Sequence, residues 1–505
     1  MNQTITAERR TIWVDVEDFF KYFEANPRPS GIQRLVFETL KVLPAQAAAH
    51  PGSPRIAFVR HSADDALLRE VTFDNLAALF DVHSRAASVA VKARARTKPL
   101  RTRRPPMKAG LRHLAIRTIE RLPPEVADVL LQAGVLQIAA LRQFKRLLRR
   151  HPVQTAESPA PPEPVEVKGG KVVEAVVEAP ALAATSADLP VRPGEPLLIM
   201  GAPWANENYG NRLARFRAKY RLEPALLLYD LIPVRRPEWC DARLVQDFTD
   251  WLESTLPQCK QLMAISRATA ADVEAYAREC SLKLSGPVVP VPIGTDFGVP
   301  TPTADAGPGP GLPAPGSYIL FVSTMEARKN HAVLFRVWRR LLSEMPPDRV
   351  PTLVFAGRVG WLISDLLQQL ENTDWLGGKV RMIRDPTDTE LNALYDGCQF
   401  TIFPSLFEGW GLPVSESLGR GRPCLASNRT SLPESGGTLA RYFDPENLDD
   451  AVRAVRDIIE DPAGLAAWQA QVAREYRHVP WGRTAEALIA ACLPDAETAL
   501  AQAAQ

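Results

Sequence analysis

Short apolar runs rich in β-branched residues recur along the chain, and an amphipathic stretch of helical length follows each of them. Runs of this kind indicate parallel strands that are buried on both faces and alternate with helices. The predicted strands form two series. They are Thr11–Asp15, Ile56–Arg60, Leu197–Gly201, Ala225–Tyr229 and Leu262–Ile265, then Tyr318–Ser323, Thr352–Ala356, Lys379–Ile383, Phe400–Phe403 and Pro423–Ala426. The pattern therefore predicts an α/β protein with two parallel sheets.

A segment rich in Pro and Gly separates the two series. Gly298–Pro315 contains six prolines and four glycines, and it cannot sustain a helix or a sheet. We therefore predict two domains joined by a linker. The predicted parts are 11–84 and 196–298 for the first domain, 85–195 for an insertion, 299–315 for the linker, 316–480 for the second domain and 481–505 for a C-terminal helix and tail.

The predicted insertion has an unusual charge. Residues 85–150 contain 17 Lys or Arg and three acidic residues, which gives a net charge of +14. They begin irregularly, and the apolar stretch Val126–Phe144 and the basic KRLLRR then follow a helical pattern. The rest of the insertion is rich in Pro, Ala, Val and Glu, which is typical of a disordered linker. We predict a partly helical and partly disordered segment.

Composition narrows the class of protein. The net charge of the 505 residues is only +2, which argues against a dedicated nucleic-acid binder. No apolar run is long enough for a membrane-spanning helix, and the first residues lack the apolar core of a signal peptide. The six cysteines are spread out and the histidines lack metal-ligand spacing, so we expect a cytoplasmic protein without a metal site.

The most informative stretch reads FEGWGLPVSESLG and places two carboxylates, Glu408 and Glu416, eight residues apart. The first lies in a Gly-rich loop, and the second lies on a helix predicted to begin near Pro413. Gly409 and Gly411 let the backbone approach a ligand and present N–H groups at a helix start. A carboxylate in such a place can accept two hydrogen bonds from a sugar diol. The spacing alone is far more typical of a loop with surface acids, so the surrounding residues decide.

This stretch resembles the E-x7-E signature of retaining glycosyltransferases with the GT-B fold, specifically glycosyltransferase family 4. The match includes Pro404-Ser405, the EGWGLP loop, Glu416 and Pro433-Glu434. It extends over residues 316–490 through YILFVSTMEARKNHAVL, LVFAGRVGW, TDTELNALYDGCQFTIFPS and RHVPWGRTAEAL. The first half resembles the family more weakly, in RPSGIQRLVFETL, LLLYDLIPVRRPEWC, LMAISRATAADVEAY and VPIGTDF. N-termini of the GIQR type occur in members that build bacterial surface polysaccharides, many of them mannosyltransferases.

The resemblance implies two Rossmann-like domains whose parallel sheets face each other across a cleft, and it assigns roles to residues. Arg328 and Lys329 would bind the diphosphate of a nucleotide-sugar donor, and Glu408 would lie beside the transferred sugar; these three are the predicted catalytic residues. Glu416 would hold the ribose hydroxyls. The predicted donor-binding set is Gly31, Thr324, Ile383, Gly409, Trp410, Gly411, Leu412 and Glu416, with Tyr229 and Asp230 as sugar or acceptor contacts.

Two positions depart from the family's pattern. The family commonly has His before the Asp of its Asp-Leu-Ile-Pro loop, where this chain has Tyr229. A glycine common after the first strand of the second domain is here Ser323, which narrows the space near the predicted diphosphate site. Because Glu408, Arg328 and Lys329 are all present, we still expect an active enzyme.

The resemblance implies transfer of a hexose, with mannose favoured, from a nucleotide sugar such as GDP-mannose to a growing bacterial surface glycan or a lipid-linked acceptor. Retention is expected through front-face attack without a covalent intermediate, and no metal or other cofactor is expected. The basic segment 85–150 would attach the protein to the anionic inner face of a membrane, although a packed helical hairpin or a partner contact fits it as well. The alternatives are a non-catalytic GT-B scaffold that binds glycan or a partner enzyme, and a GT-B sugar-nucleotide epimerase or phosphorylase.

Overall fold

The computed structural model of the protein describes most of the two predicted domains. The described residues are 9–26, 29–49, 53–61, 67–83, 189–206, 208–296 and 311–493. Most of the insertion predicted at 85–195 and most of the linker predicted at 299–315 lie outside these ranges. Both sheets belong to one compact unit. No helix in the described ranges is long and apolar enough to cross a membrane.

The first sheet has seven strands in the order β3-β2-β1-β4-β5-β6-β7. All neighbours are parallel except β2 and β3, which form an antiparallel edge pair. The strands are β1 Thr11–Asp15, β2 Arg55–His61, β3 Leu68–Val71, β4 Pro196–Ile199, β5 Glu223–Leu228, β6 Gln261–Ala264 and β7 Val288–Pro290. Ile12 and Val14 are buried on one face of β1 and Trp13 on the other, so helices cover both faces.

The second sheet has six strands in the order β10-β9-β8-β11-β12-β13, and all of them are parallel. They are β8 Tyr318–Val322, β9 Thr352–Gly357, β10 Val380–Arg384, β11 Thr401–Phe403, β12 Cys424–Ser427 and β13 Arg441–Phe443. All ten predicted strands are present, each within about two residues of its predicted bounds. The two sheets, which are parallel except for the β2–β3 pair, confirm the α/β prediction.

Helices connect the strands on both sides of each sheet. In the first half they are α1 Glu17–Ala25, α2 Gly31–Ala48, α3 at 73–83, α4 Tyr209–Tyr220, α5 Ile232–Arg235, α6 Ala242–Thr255 and α7 Arg267–Glu279. In the second half they are α8 His331–Glu344, α9 Ser364–Asn372, α10 Asp388–Gly397, α11 Leu412–Gly419, α12 Leu432–Gly436, α13 Leu448–Glu460, α14 Pro462–Glu475 and α15 Trp481–Cys492. Three-residue 3₁₀ turns lie at Pro203–Ala205, Pro237–Trp239, Leu256–Gln258 and Ala327–Lys329.

The last helix, α15, returns to the first domain. Trp481, Ala485 and Leu488 are buried in the core that lies between the first sheet and α2. The indole of Trp481 donates to the carbonyl of Asp296 at 2.8 Å. A Cβ at Gly294 would lie 2.3 Å from this ring, so glycine is required for the contact. The chain therefore passes between the two domains twice, once before β8 and once before α15.

A buried carboxylate, Asp18, lies just after β1. It accepts a hydrogen bond from the N–H of Ala202 at 2.8 Å, and its oxygen occupies the space that a Cβ at Gly201 would fill. Burial, together with the negative charge of Asp15, raises the pKa of Asp18 to about 7. The folded protein therefore favours the protonated form of this side chain, whereas the unfolded chain ionises it near its ordinary pKa of 3.8.

We expect Asp18→Asn to stabilise the protein more at pH 8 than at pH 5. Because the pKa of Asp18 is higher in the folded state, its contribution to stability is greatest below pH 3.8 and is lost as the pH rises through about 7. The gain in unfolding free energy should be about 3 kcal/mol larger at pH 8. Thermal unfolding at both pH values measures this, with the exposed Asp247→Asn as control. An equal gain at both pH values would contradict the prediction.

Candidate active site

Residues that were predicted from two separate motifs meet at one carboxylate. Glu408 is 7% exposed, and its two oxygens accept hydrogen bonds from Arg328 Nη1 at 2.8 Å and from Lys329 Nζ at 2.5 Å. Arg328 also pairs with the buried Glu326 at 2.9 Å and donates to the carbonyl of Phe407 at 3.0 Å. The structure therefore brings the predicted catalytic residues into a single ion-paired cluster, which we call the Glu408 cluster.

The two cations lie in a 3₁₀ turn, Ala327–Lys329, directly before α8. Asn330 ends this turn in the left-handed conformation with φ 58°, so the pair precedes the helix and does not lie in its first turn. The amide of Asn330 donates to the carbonyls of Pro404 and Pro445, at 3.3 and 3.1 Å. These bonds hold the turn against the loop that carries Glu408.

The loop at Glu408 is fixed by its backbone as well. The N–H of Glu408 donates to Thr430 Oγ1 at 3.0 Å, and Ser431 Oγ donates to the carbonyl of Glu408 at 2.9 Å. Sequence reasoning missed these two residues, which lie in the NRTS segment before α12. Backbone bonds to hydroxyl side chains leave the carboxylate free to face the cations.

The carboxylate of Glu408 stays ionised at neutral pH. Burial alone would raise the pKa of Glu408, but the charges of Arg328 and Lys329 outweigh it and hold that pKa at about 2. Burial likewise opposes the charge on Arg328, yet Glu408 and Glu326 raise its pKa. For Lys329, burial and the neighbouring Arg328 lower the pKa. Glu408 is therefore an anion held by the side chains of Arg328 and Lys329, in a place with little access to water.

Asp230 brings the first domain to this cluster. Its carboxylate accepts a hydrogen bond from the N–H of Ile232 at 3.0 Å. It also interacts electrostatically with Arg328, Glu408 and Lys329. Burial raises the pKa of Asp230, against the attraction of Arg328. Asp230 follows β5, so the carboxyl end of a strand from the first sheet faces the Glu408 cluster of the second domain.

The two domains touch at Gly409. A Cβ at Gly409 would lie 1.9 Å from the carbonyl oxygen of Tyr229 and 3.2 Å from the Cβ of Asp230. The hydroxyl of Thr269 lies 3.3 Å from the Tyr229 carbonyl and 3.4 Å from the Gly409 carbonyl. The sequence suggested that Gly409 allows close approach to a ligand, and the structure shows that it allows close approach to the opposite domain.

Other residues of the predicted donor-binding set also lie at this domain contact. The Gly31 Cβ position, at the start of α2, is 3.7 Å from Leu412 Cδ1. The side chains of Trp410 and Leu412 pack against the first domain's core, and the Trp410 indole donates to Ser415 Oγ at 3.2 Å. Gly411 has φ +98°, a conformation that favours glycine. Because the side chains of Trp410 and Leu412 are used in this packing, only their backbone groups are available to bind the predicted donor.

The remaining predicted positions lie apart from this contact. Glu416 lies on α11, half-buried, and accepts a hydrogen bond from the hydroxyl of Tyr395 at 2.8 Å. Ile383, near the end of β10, packs against the core around Tyr318. Thr324 follows β8 and lies beside Gly360. The described residues show no hydrogen bond or ion pair that joins Glu416 to the Glu408 cluster.

The two residues that depart from the family's pattern, Tyr229 and Ser323, both contact neighbouring side chains of their own domain. The side chain of Tyr229 is 5% exposed and belongs to the first domain's core, so only its carbonyl reaches the domain contact. Ser323 Oγ lies 3.2 Å from Nε2 of His331. Burial lowers the pKa of His331 to about 3, which keeps the ring neutral. His331 is therefore a packing residue of α8.

Glu434 forms a second link between the domains. The sequence motif includes this residue, but the motif alone assigned no role to it. Its carboxylate accepts the N–H groups of Arg267 and Ala268 at 2.9 and 2.8 Å. These are the first two residues of α7, where the helix dipole favours an anion. A carboxylate from the second domain thus caps a helix of the first. Within the described ranges, no three His, Cys, Asp or Glu residues come together as a group that could hold a metal ion.

Comparison with protein families defines the second domain. Residues 309–475 match the family model described as Glycosyl transferases group 1. This range contains the whole second sheet and all three residues that form the Glu408 cluster. The chain therefore carries a glycosyltransferase group 1 domain, and its α/β architecture of two parallel-sheet domains is that of the GT-B class.

Individual relatives narrow the resemblance further. The chain is 28% identical over 239 residues to the serotype-specific mannosyltransferase WbdA of Escherichia coli, which covers 46% of this chain and 29% of that protein. It is 34% identical over 144 residues to the O-antigen chain mannosyltransferase B of Escherichia coli, 28% of this chain and 37% of that protein. The chain thus spans about a third of the length of these curated relatives.

Solved structures give a more distant likeness. Anabaena Alr3699/HepE in complex with UDP and glucose is 14% identical to the chain, with a TM-score of 0.43. The match covers 60% of this chain and 77% of that one.

Proposed function

We propose that the protein is a retaining glycosyltransferase that moves a hexose from a nucleoside diphosphate sugar to a growing bacterial surface glycan or a lipid-linked acceptor. Mannose is the favoured sugar and GDP-mannose the favoured donor, because two of its relatives are named mannosyltransferases. The single observation that carries the proposal is the Glu408 cluster, which lies within the group 1 domain and faces Asp230 of the other domain.

The cluster suits the departure of a diphosphate. As the anomeric C–O bond breaks, the leaving diphosphate gains negative charge, so nearby cations stabilise the transition state more than the bound donor. Arg328 and Lys329 are two such cations, held in place and largely shielded from water. They supply the positive charge that a divalent ion would otherwise provide, so we propose a reaction that is independent of metal.

In the proposed step, the acceptor oxygen bonds to the anomeric carbon on the face from which the diphosphate leaves. The C–O bond to the diphosphate breaks, its electron pair leaves with the diphosphate, and the acceptor proton passes to a phosphate oxygen. Both oxygens of Glu408 are occupied by Arg328 and Lys329. Glu408 is therefore suited to stabilise positive charge on the sugar ring, and it is poorly suited to attack as a nucleophile.

A screen of GDP-, UDP- and dTDP-sugars by thermal shift tests the donor. We expect GDP-mannose to raise the melting temperature most, because a ligand that binds only the folded state stabilises it. Arg328→Ala should abolish that shift, and the exposed Arg340→Ala should keep it. NMR of the product then reports the anomeric configuration, with retention expected. A donor epimerised without acceptor would indicate the epimerase, and the absence of any shift would indicate the scaffold.

The membrane part of the proposal rests on residues 85–150, which lie outside the described ranges. Their net charge of +14 would attract anionic lipid headgroups at the inner face of a membrane, where lipid-linked acceptors are found. Flotation with anionic vesicles compares the full chain with a version that lacks residues 85–195. Equal binding of the two proteins would reject a membrane role for this segment.

A further inference from the structure

Two tryptophans from different domains meet beside the candidate active site. Trp361, 52% exposed, donates its indole N–H to the backbone carbonyl of Trp239 at 2.9 Å. Trp239 ends a 3₁₀ turn of the first domain, and the guanidinium of Arg236 lies 3.8 Å from the centre of its ring. Leu362 is 59% exposed and has a left-handed φ of 56°. We call Trp239, Trp361 and Leu362 the rim aromatic patch.

The loop that carries Trp361 is held firmly. The N–H of Met325 donates to the carbonyl of Arg358 at 2.8 Å, and the N–H of Gly360 donates to the carbonyl of Met325 at 2.9 Å. A Cβ at Gly360 would lie 2.9 Å from Thr324 Cγ2, so the loop packs closely on the segment that leads to Arg328. The exposure of Trp361 is therefore a fixed feature of the fold.

The patch also adjoins the candidate site on the side of the first domain. Cys240 follows Trp239 directly, and Asp230 and Arg328 both act on its thiol, whose pKa is raised mainly by burial. Trp361 is connected through Gly360 and Met325 to the turn that carries Arg328. The rim aromatic patch thus flanks the Glu408 cluster, with Trp239 from the first domain and Trp361 and Leu362 from the second.

The chemistry of the patch points to an uncharged, ring-shaped ligand. Exposed aromatic side chains tend to mark binding surfaces, and the C–H faces of pyranose rings stack on indole rings. Arg236 and Glu238 pair with each other at 2.6 Å beside Trp239, so they offer hydrogen-bonding groups without a net charge.

We infer that the rim aromatic patch is a subsite that binds pyranose rings of the glycan acceptor, away from the hydroxyl that receives the sugar. The inference rests on the proposed function, in which the acceptor is a glycan. Such a subsite would hold a long acceptor more tightly than a short one, because each added ring contact contributes binding free energy. Its two halves come from different domains, so the acceptor would bind across their junction.

Affinity electrophoresis in gels that contain α-mannan, α-glucan or galactan measures glycan binding without any turnover. We expect at least one polymer to retard the full-length protein, and Trp361→Ala to weaken that binding about tenfold, as for the loss of one ring-stacking contact. Trp239→Ala, which keeps the carbonyl that accepts from Trp361, should weaken it similarly. Trp361→Phe should retain most of the binding, and Leu244→Ala, another exposed apolar side chain, should retain all of it.

The outcomes separate this inference from the proposed function. Retardation that Trp361→Ala reduces, in a protein that transfers no sugar, would support the subsite and reject the transferase. No retardation by any of the three polymers, or equal retardation of wild type and Trp361→Ala, would overturn the subsite. Loss of the donor-induced thermal shift in Trp361→Ala would also overturn it, because the tryptophan contact would then serve only to hold the domains together.

Discussion

Replacing Glu408 with Gln is expected to lower the rate of sugar transfer by about a hundredfold to a thousandfold. The substitution keeps the size of the side chain and removes the negative charge that Arg328 and Lys329 share. If that charge stabilises the sugar ring in the transition state, the loss should fall on kcat while the donor still binds. Single-turnover assays with labelled donor measure the rate, and thermal shift measures donor binding.

A matched control guards this result against a general loss of structure. Glu344→Gln removes an exposed carboxylate that pairs with Arg340 and Arg456 on the surface of the second domain, and it should leave transfer unchanged. Removing a buried charge that pairs with Arg328 and Lys329 also lowers stability. The melting temperature of Glu408→Gln must therefore be measured and must lie above the assay temperature. A folded Glu408→Gln protein with the wild-type rate would rule out the assigned role.

Replacing Gly409 with Ala is expected to lower transfer at least about tenfold while each domain remains folded. The new Cβ would lie 1.9 Å from the carbonyl oxygen of Tyr229, and neither backbone can yield by a side-chain rotation. The domains must then move apart, which separates Asp230 from the Glu408 cluster. The measurement is the transfer rate together with the donor-induced thermal shift, and both should fall.

Gly286→Ala is the control for Gly409→Ala. A Cβ at Gly286 meets no heavy atom within 4 Å, and the position is exposed in the first domain. It should behave as wild type in both assays. If Gly409→Ala also kept the wild-type rate, the close contact between Gly409 and Tyr229 would not be needed for the reaction.

The sequence predicted most of the fold because buried parallel strands are nearly continuous apolar runs. Three strands of the structure were not predicted from the sequence. β3 places two adjacent charged residues between two apolar ones at an edge of the first sheet, and β7 and β13 have only three residues each. Strands this short form because neighbouring strands offer them hydrogen bonds, which is a property of the assembled sheet and not of the local sequence.

The candidate site was predictable where a motif carries the chemistry. Arg328, Lys329 and Glu408 came from the family resemblance, although about 80 residues separate the cations from the carboxylate. Glu326 and Glu434 could not be assigned, because their roles depend on a turn and on a helix of the other domain that the sequence does not place near them. The packing of Trp410 and Leu412 against the first domain was hidden for the same reason.

The return of α15 to the first domain affects the order in which the domains can fold during synthesis on the ribosome. The first domain buries Trp481, Ala485 and Leu488 in its core, yet these residues are synthesised only after the whole second sheet. Until they emerge, α2 exposes the apolar surface that α15 later covers. The second domain can therefore finish folding before the first, which reverses the usual N-terminal-first order of multidomain chains.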